Sequence, residues 1–197
     1  MNIPVKKNEK YIVNIIDNGF EGEGIAKIDN YTIFIPQAII GEKCEILIVK
    51  VNKSYGYGRI INIIEESKER RNTDCDTYKR CGGCNLRHID YEYTLKMKQK
   101  KVQNLVNKTL DNKTEVKDTI GMNNPYNYRN KAQFPIGYDK NGKVITGIFA
   151  ERTHEIIEMS NCKIQNEISE KIAKIVTKFL NDNKISVYDE KNLKRNF

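Results

Sequence analysis

Four cysteines define the chemistry open to this sequence. Cys75, Cys81 and Cys84 fall within ten residues, in CDTYKRCGGCNLRH, at the spacing C-x5-C-x2-C, and Cys162 stands far downstream. Four thiolates suit either a tetrahedral zinc site or an iron–sulfur cluster. Zinc sites are commonly built from two compact C-x2-C knuckles. Here there is one such pair, and the pattern of three close cysteines and one remote one favours a [4Fe–4S] cluster, with zinc as the alternative. Gly82 and Gly83 let the backbone wrap closely round a bulky centre and turn N–H groups toward sulfur. Reduced, unligated thiols are the plainer reading, but three in ten residues call for a reason. His88 could replace one ligand in a zinc site of three cysteines and one histidine; a surface histidine at the start of a helical region is the simpler role. Cys44, in an alternating apolar segment, reads as a buried small hydrophobe.

Charge suggests the partner. The net charge of the 197 residues is +8, distributed as −1 over 1–66, +6 over 67–113 and +3 over 114–197. The basic excess centres on the cysteine segment and the residues after it, which points to a polyanion, most simply nucleic acid. A generally Lys-rich surface is the competing explanation. No apolar run approaches the ~18 residues of a transmembrane helix, so no membrane partner is expected. The N-terminus, MNIPVKKNEKYIVN, lacks the apolar core of a signal peptide, so a cytoplasmic protein with reduced thiols is expected.

The elements that must position these residues are legible in outline. KYIVNIID, YTIFIPQ, KCEILIVKV and YGRIINII are rich in β-formers, and NGFEGEG, DN, IIGE and NKSYGYG between them are turn chemistry. The expected fold is α+β, beginning with a five-stranded OB-like β-barrel over residues 1–66. Gly19, Gly22 and Gly24 do not make a dinucleotide loop, since Lys27 stands where the third glycine belongs. EESKERRNTD (65–74) reads as a charged linker. The second domain, 67–163, is expected to hold helix 91–110, with Leu95, Val102, Leu105, Val106 and Leu110 on one face, and a small antiparallel sheet. That sheet comprises KAQFPIGY and VITGIFA about the turn DKNGK, and then THEIIEM. The clearest helix is 164–181, where Ile164, Ile168, Ile172, Ile175, Val176, Phe179 and Leu180 recur at spacings of three and four. Its apolar stripe needs a partner, and KISVYDEKNLKRNF after it begins like a strand and runs into a polar tail. Residues 164–197 therefore read as the start of a further domain.

The ordered blocks carry a family likeness. GEGIAKIDNYTIFIPQAIIGE resembles a TRAM domain. CDTYKRCGGCNLRHIDYEYTLKMKQKKV resembles the cluster-binding segment, and PYNYRNKAQFPIG and GIFAERTHEIIEMSNC the central sheet, of the class I RNA (uracil-C5)-methyltransferases that modify 23S ribosomal RNA. The likeness covers about residues 8–165. It implies a [4Fe–4S] cluster held by Cys75, Cys81, Cys84 and Cys162, structural and RNA-positioning rather than redox-active. It also implies a TRAM barrel that contacts RNA and a central sheet that helps to hold a refolded loop, with 23S rRNA as the partner. S-adenosylmethionine and the chemistry belong in that family to a C-terminal Rossmann-like domain, where a catalytic cysteine attacks C6 of the uracil. No Gly-rich strand–turn–helix and no spare cysteine represent that domain here, so no catalytic and no S-adenosylmethionine-binding residue is assigned. The chain is expected to be a catalytically incomplete form, through truncation, frameshift or a partial gene, or to work with a separately encoded methyltransferase domain.

The remaining candidates are RNA contacts. Tyr128, Arg129, Asn130 and Lys131 combine an aromatic ring, two cations and an amide, a set suited to unpaired RNA. Arg152 and His154 precede Cys162. In the barrel Lys50, Lys53, Tyr55, Tyr57 and Arg59 make a basic–aromatic patch. Lys96, Lys98, Lys100 and Lys101 read as a solvated helix face that adds salt-sensitive attraction. Two further readings compete with the enzyme fragment: a standalone RNA-binding module with a structural four-cysteine zinc or cluster site, and, more weakly, an electron-transfer protein.

Overall fold

The computed structural model describes residues 3–110 and 114–188. Nine strands and two helices occur among them, in the order β1 (Lys10–Asn14), β2 (Asp17–Asn18), β3 (Gly24–Ile28), β4 (Tyr31–Ile35), β5 (Lys43–Val51), β6 (Tyr55–Glu65), α1 (Tyr91–Thr109), β7 (Ile136–Tyr138), β8 (Val144–Phe149), β9 (Ile156–Glu158) and α2 (Glu167–Asp182). The chain divides into two compact units. The first comprises Met1–Asn72 with Asn85–Gly121, and the second Thr73–Cys84 with Met122–Phe197. These divisions differ from boundaries at 66 and 163. Helix α1 groups with the first sheet, and the cysteine loop groups with the second.

The first unit is built on a six-stranded mixed sheet, ordered β1-β5-β6-β4-β3-β2. Alternation creates its core. Tyr31, Ile33 and Ile35 of β4 and Cys44, Ile46 and Ile48 of β5 are buried, whereas the residues between them are not. Burying each isoleucine contributes roughly 1.5–3 kcal/mol. Asp29 and Asn30, both at positive φ, form the two-residue turn that joins β3 to β4. The expected five-stranded barrel is corrected in two respects. Among the described residues this sheet has six strands, and no ladder closes it. The segment KYIVNIID is not one strand: β1 pairs with β5 up to Asn14, and β2 pairs with β3 from Asp17. Between them Ile15 donates to Glu42 O and Ile16 to Ile25 O, each at 2.8 Å. One stretch of chain thus supplies both edges of the sheet, and a bend at Ile15–Ile16 takes the place of a continuous ladder.

The charged stretch 65–74 is not a free linker. Arg70 is bidentate to Glu42 at 2.5 and 2.8 Å and donates to Gln37 O at 2.7 Å. Glu42 is buried and also accepts from Ile39 N–H. Arg71 N–H donates to His88 O, and Asp90 N–H to Glu69 O. Helix α1 begins at the cap Asp90, whose side chain accepts from Tyr93 N–H. Its expected apolar face is not the buried one: Thr94 is buried, while Val102, Leu105 and Leu110 are exposed. The helix is fastened instead by polar contacts, among them Gln99 to Val116 O, Thr119 to Leu95 O, and Lys101, whose Nζ lies 3.2 Å from the centre of the Phe20 ring.

The second unit has a three-stranded antiparallel sheet, β7-β8-β9. Its hairpin turns at DKNGK as the sequence predicts. Gly142 takes positive φ, and Asp139 accepts from Asn141 and Lys143 N–H. Helix α2 opens with the cap Asn166 and lies along β8. Residues 185–188 are not strand, although Val187 N–H donates to Tyr138 Oη; the polar tail beyond 188 lies outside the described residues. Among the described residues neither sheet is a doubly wound parallel one, and no helix is long and apolar enough to cross a membrane.

Candidate functional site

Cys75, Cys81, Cys84 and Cys162 all belong to the second unit, and all four are half-buried and outside any disulfide. The loop that carries three of them is folded by short backbone bonds. Tyr78 N–H donates to Cys75 O and Cys81 N–H to Thr77 O. Cys81 bridges to Ala150, and Gly82 N–H donates to Phe149 O at 3.1 Å. This approach favours glycine: a Cβ on Gly82 would stand 3.0 Å from Phe149 O and 3.2 Å from the Glu151 backbone, tighter than most side chains sit. Gly83 N–H donates to Cys81 Sγ at 3.3 Å, the contact a thiolate accepts. A Cβ on Gly83 would sit 3.3 Å from the same sulfur.

Cys162 stands four residues beyond the end of β9. Glu170 of α2 accepts from the N–H groups of Asn161 and Cys162 at 2.9 and 3.1 Å, which fixes the turn that carries the thiol. Burial opposes ionisation of Glu170. The hydrogen bonds from Lys174, Asn161 and Cys162 outweigh it and hold the carboxyl below its ordinary pKa. The segment 127–129 runs beside 163–165, with Asn127 N–H on Lys163 O and Arg129 N–H on Ile164 O. That pairing brings the Arg129 guanidinium to Gly83 O at 3.4 Å.

Cys81 registers all of these neighbours. Burial pushes its thiol pKa up, the Gly83 N–H lowers it, the charges of Cys75 and Cys162 raise it, and Arg129 lowers it. Cys75, Cys162 and Arg129 thus all lie near enough to Cys81 to act on its thiol. Among the described residues no three Cys, His, Asp or Glu side chains are placed as ligands of a single metal ion. Two cysteine-related expectations can be placed directly. Cys44 is fully buried in the first unit, and burial raises its pKa to about 11. His88 is not a surface residue: it is buried in the first unit, where desolvation and then Arg70 lower its pKa to about 4.

The RNA candidates separate into two groups. In the second unit Tyr128, Asn130 and Lys131 are exposed, whereas Arg129 turns toward the cysteine loop. Arg152 pairs with Glu151 at 3.2 Å, and His154 stacks on Phe149 with centroids 5.2 Å apart. In the first unit Tyr55, Tyr57 and Arg59 alternate along β6 with Gly56 and Gly58. The glycines face inward, where a Cβ would stand 2.9 Å from Ile46 at Gly58 and 3.0 Å from Lys50 O at Gly56. The aromatic residues consequently stand on the outer face, and Lys53 is exposed in the turn before them.

Sequence reasoning missed Phe34, which completes this outer face. The parallel pairing of β4 with β6 sets Phe34 opposite Tyr57 and Thr32 opposite Tyr55. The Phe34, Tyr55 and Tyr57 rings form a mutual cluster with centroids 5.7–5.8 Å apart. Lys50 lies across from Tyr57 and Lys27 across from Thr32, which flanks the rings with cations on both sides. The alternation of TIF in β4 was a usable signal for an outward Phe34, but its neighbour depended on a parallel pairing that local sequence does not announce.

Residues 4–61 match the TRAM domain family. The chain is 46% identical over 194 residues to a protein of Clostridium tetani named "Uncharacterized RNA methyltransferase", covering 98% of this chain and 42% of that protein. A similarly named protein of Halalkalibacterium halodurans is 43% identical over 188 residues, covering 95% of this chain and 41% of its own length. Among solved structures, the Pyrococcus abyssi tRNA (uracil-54, C5)-methyltransferase, crystallised with S-adenosyl-L-homocysteine, aligns over 92% of this chain and 40% of its own. Its TM-score is 0.60 at 20% identity, a likeness of fold. The chain thus spans about two fifths of the length of the relatives it matches, carries a region that matches the TRAM domain, and is similar along nearly all of its length to proteins named RNA methyltransferases.

Proposed function

We propose that this chain is the RNA-recognition portion of an S-adenosylmethionine-dependent RNA (uracil-C5)-methyltransferase acting on 23S rRNA, and that Cys75, Cys81, Cys84 and Cys162 hold a [4Fe–4S] cluster. The observation that carries the RNA reading is the outer face of the first sheet, where three clustered rings lie between lysines within the region that matches the TRAM domain. Unpaired bases stack on such rings while the cations attract phosphate. The cluster reading is supported by the Gly82–Gly83 cradle, the Gly83 N–H on the Cys81 sulfur, the nearness of Cys75 and Cys162 to Cys81, and the Arg129 guanidinium placed on the same loop. When bound, the cluster would tie the loop 75–84 to the turn that carries Cys162. Arg129 would offset negative charge, and Glu170 would hold the last ligand's backbone in place. No residue of this chain is assigned to methyl transfer, which would need a further domain.

The test uses the 197-residue chain, reconstituted anaerobically with iron and sulfide, and a labelled single-stranded RNA taken from 23S rRNA. Fluorescence anisotropy is expected to show binding that weakens steeply with salt. Radiolabelled S-adenosylmethionine is expected to leave no label on the RNA. No binding at low salt would overturn the RNA reading, label transfer would overturn the division of labour, and tighter binding of transfer RNA would overturn the choice of substrate.

A further inference from the structure

Helix α2 presents its two faces in the reverse of the usual order. The side that meets its own sheet is polar. Asn181 donates to Val144 O at 2.8 Å and accepts from Val144 N–H at 2.9 Å. Glu170 holds the Asn161–Cys162 turn. Ala173 and Thr177 lie between these two on the same side and line a groove of about 260 Å³ with Phe134, Thr146 and Met159. The opposite side is apolar and faces outward. Ile168, Ile172, Ile175 and Phe179 are 63, 56, 68 and 57% exposed, and no residue of the helix is buried. At 3.6 residues per turn these four share one stripe, on the far side from Glu170, Thr177 and Asn181. Helices in soluble domains ordinarily bury such a stripe, and a contiguous apolar patch left outside marks an interaction surface.

We infer that the stripe Ile168–Ile172–Ile175–Phe179 is the docking face for a further folded domain, the one that makes up the remaining three fifths of the relatives' length. Sequences that match this one nearly end to end belong to chains more than twice as long, and the related solved structure shows the same proportion. The partner surface it fits is an apolar groove that receives residues at i, i+4, i+7 and i+11 of one helix. Because Glu170 on the inner side of α2 anchors Cys162, the same helix would connect the docked domain to the cysteine site. This inference does not depend on RNA binding.

The test is co-expression of the 197-residue chain with a tagged polypeptide comprising the part of the Clostridium tetani relative that this chain does not match. The tagged partner is expected to retain the wild-type chain on an affinity column. The double variant Ile172→Glu, Ile175→Glu is expected to reduce that recovery at least about tenfold, the change that ~1.4 kcal/mol of lost affinity produces. Its circular dichroism should be unchanged, because both side chains are exposed. Lys171→Glu, beside the stripe, is expected to leave recovery intact. Failure of the wild-type chain to be retained, or equal recovery of the double variant, would overturn the proposal. So would a stable dimer of the chain alone, seen by light scattering and abolished by the double variant, since a second copy would then be the occupant.

Discussion

The two units hold themselves together by different means. The first has a dense apolar centre, with Ile33, Ile35, Ile39, Ile46 and Ile48 fully buried over an alternating six-stranded sheet. The second has a three-stranded sheet, a thinner set of buried residues in Val144, Ile145, Ile157, Met159 and Ile164, and a helix whose apolar side faces out. Three short strands and one helix make a small core that buries a smaller share of its surface than the first unit's. The first unit therefore carries its stabilisation within its own strands. The second gathers four cysteines and an outward apolar stripe, and under the two proposals above it would draw stability from a bound cluster and a docked domain. Small domains with thin cores are commonly stabilised by a metal or a partner in this way.

Four experiments would break or sharpen that contrast. The largest effect is expected from Cys162→Ser, which should abolish iron binding and expose the second unit to hydrogen exchange while the first stays protected. Cys44→Ala, in the first unit's core, should leave iron content unchanged. If the two variants bind iron alike, the ligand set is wrong. Next is Arg70→Met, which strands the buried Glu42 carboxylate. Breaking such a pair costs roughly 3–5 kcal/mol, to be read from urea unfolding of the first unit, with the second unit's iron absorbance unaffected.

Third is pH. The folded pKa of His88, about 4, lies below the ordinary value of 6.5. Between those values the unfolded chain binds a proton that the folded one does not. Stability of the first unit is thus complete above pH 6.5 and falls as pH drops toward 4, by roughly 3 kcal/mol in all. His88→Gln should flatten the profile over that window; an unchanged slope would assign it to another group. Smallest is Phe34→Ala. Removing one ring from the outer cluster should weaken single-stranded RNA binding by about 1–3 kcal/mol in titrations. The buried core beneath should keep its unfolding midpoint nearly unchanged. Loss of stability without loss of affinity would make the cluster structural.

Local chemistry made much of this legible. Most strand positions, the DN and DKNGK turns, the helix starting at Tyr91 and the exposed stripe of α2 follow from alternation, turn residues and periodicity; KAQFPIGY and THEIIEM, however, shrink to Ile136–Tyr138 and Ile156–Glu158, and Ile164 is buried before α2 begins at Glu167. The exceptions share a cause. KYIVNIID reads as one strand, but one segment serves two edges of the same sheet. The stretch 65–74 reads as a linker because its charges lack local apolar period, yet Arg70 finds Glu42, 28 residues away. His88 reads as surface, and its burial depends on a fold that encloses it. On α1 the apolar positions and the buried positions disagree, since polar contacts such as Gln99 to Val116 O fasten the helix.

By itself the sequence determined which residues could do chemistry: C-x5-C-x2-C with a glycine pair, a distant fourth cysteine, and a basic excess around them. Those are properties of residue type and spacing, and they survive without coordinates. Only the tertiary structure decided that Cys162 and Arg129 act on Cys81, that Phe34 joins Tyr55 and Tyr57, and that α2 turns its polar side inward. Each of these joins residues far apart in the chain. The pairing of strands and the docking of helices set such distances, and local propensity does not encode them.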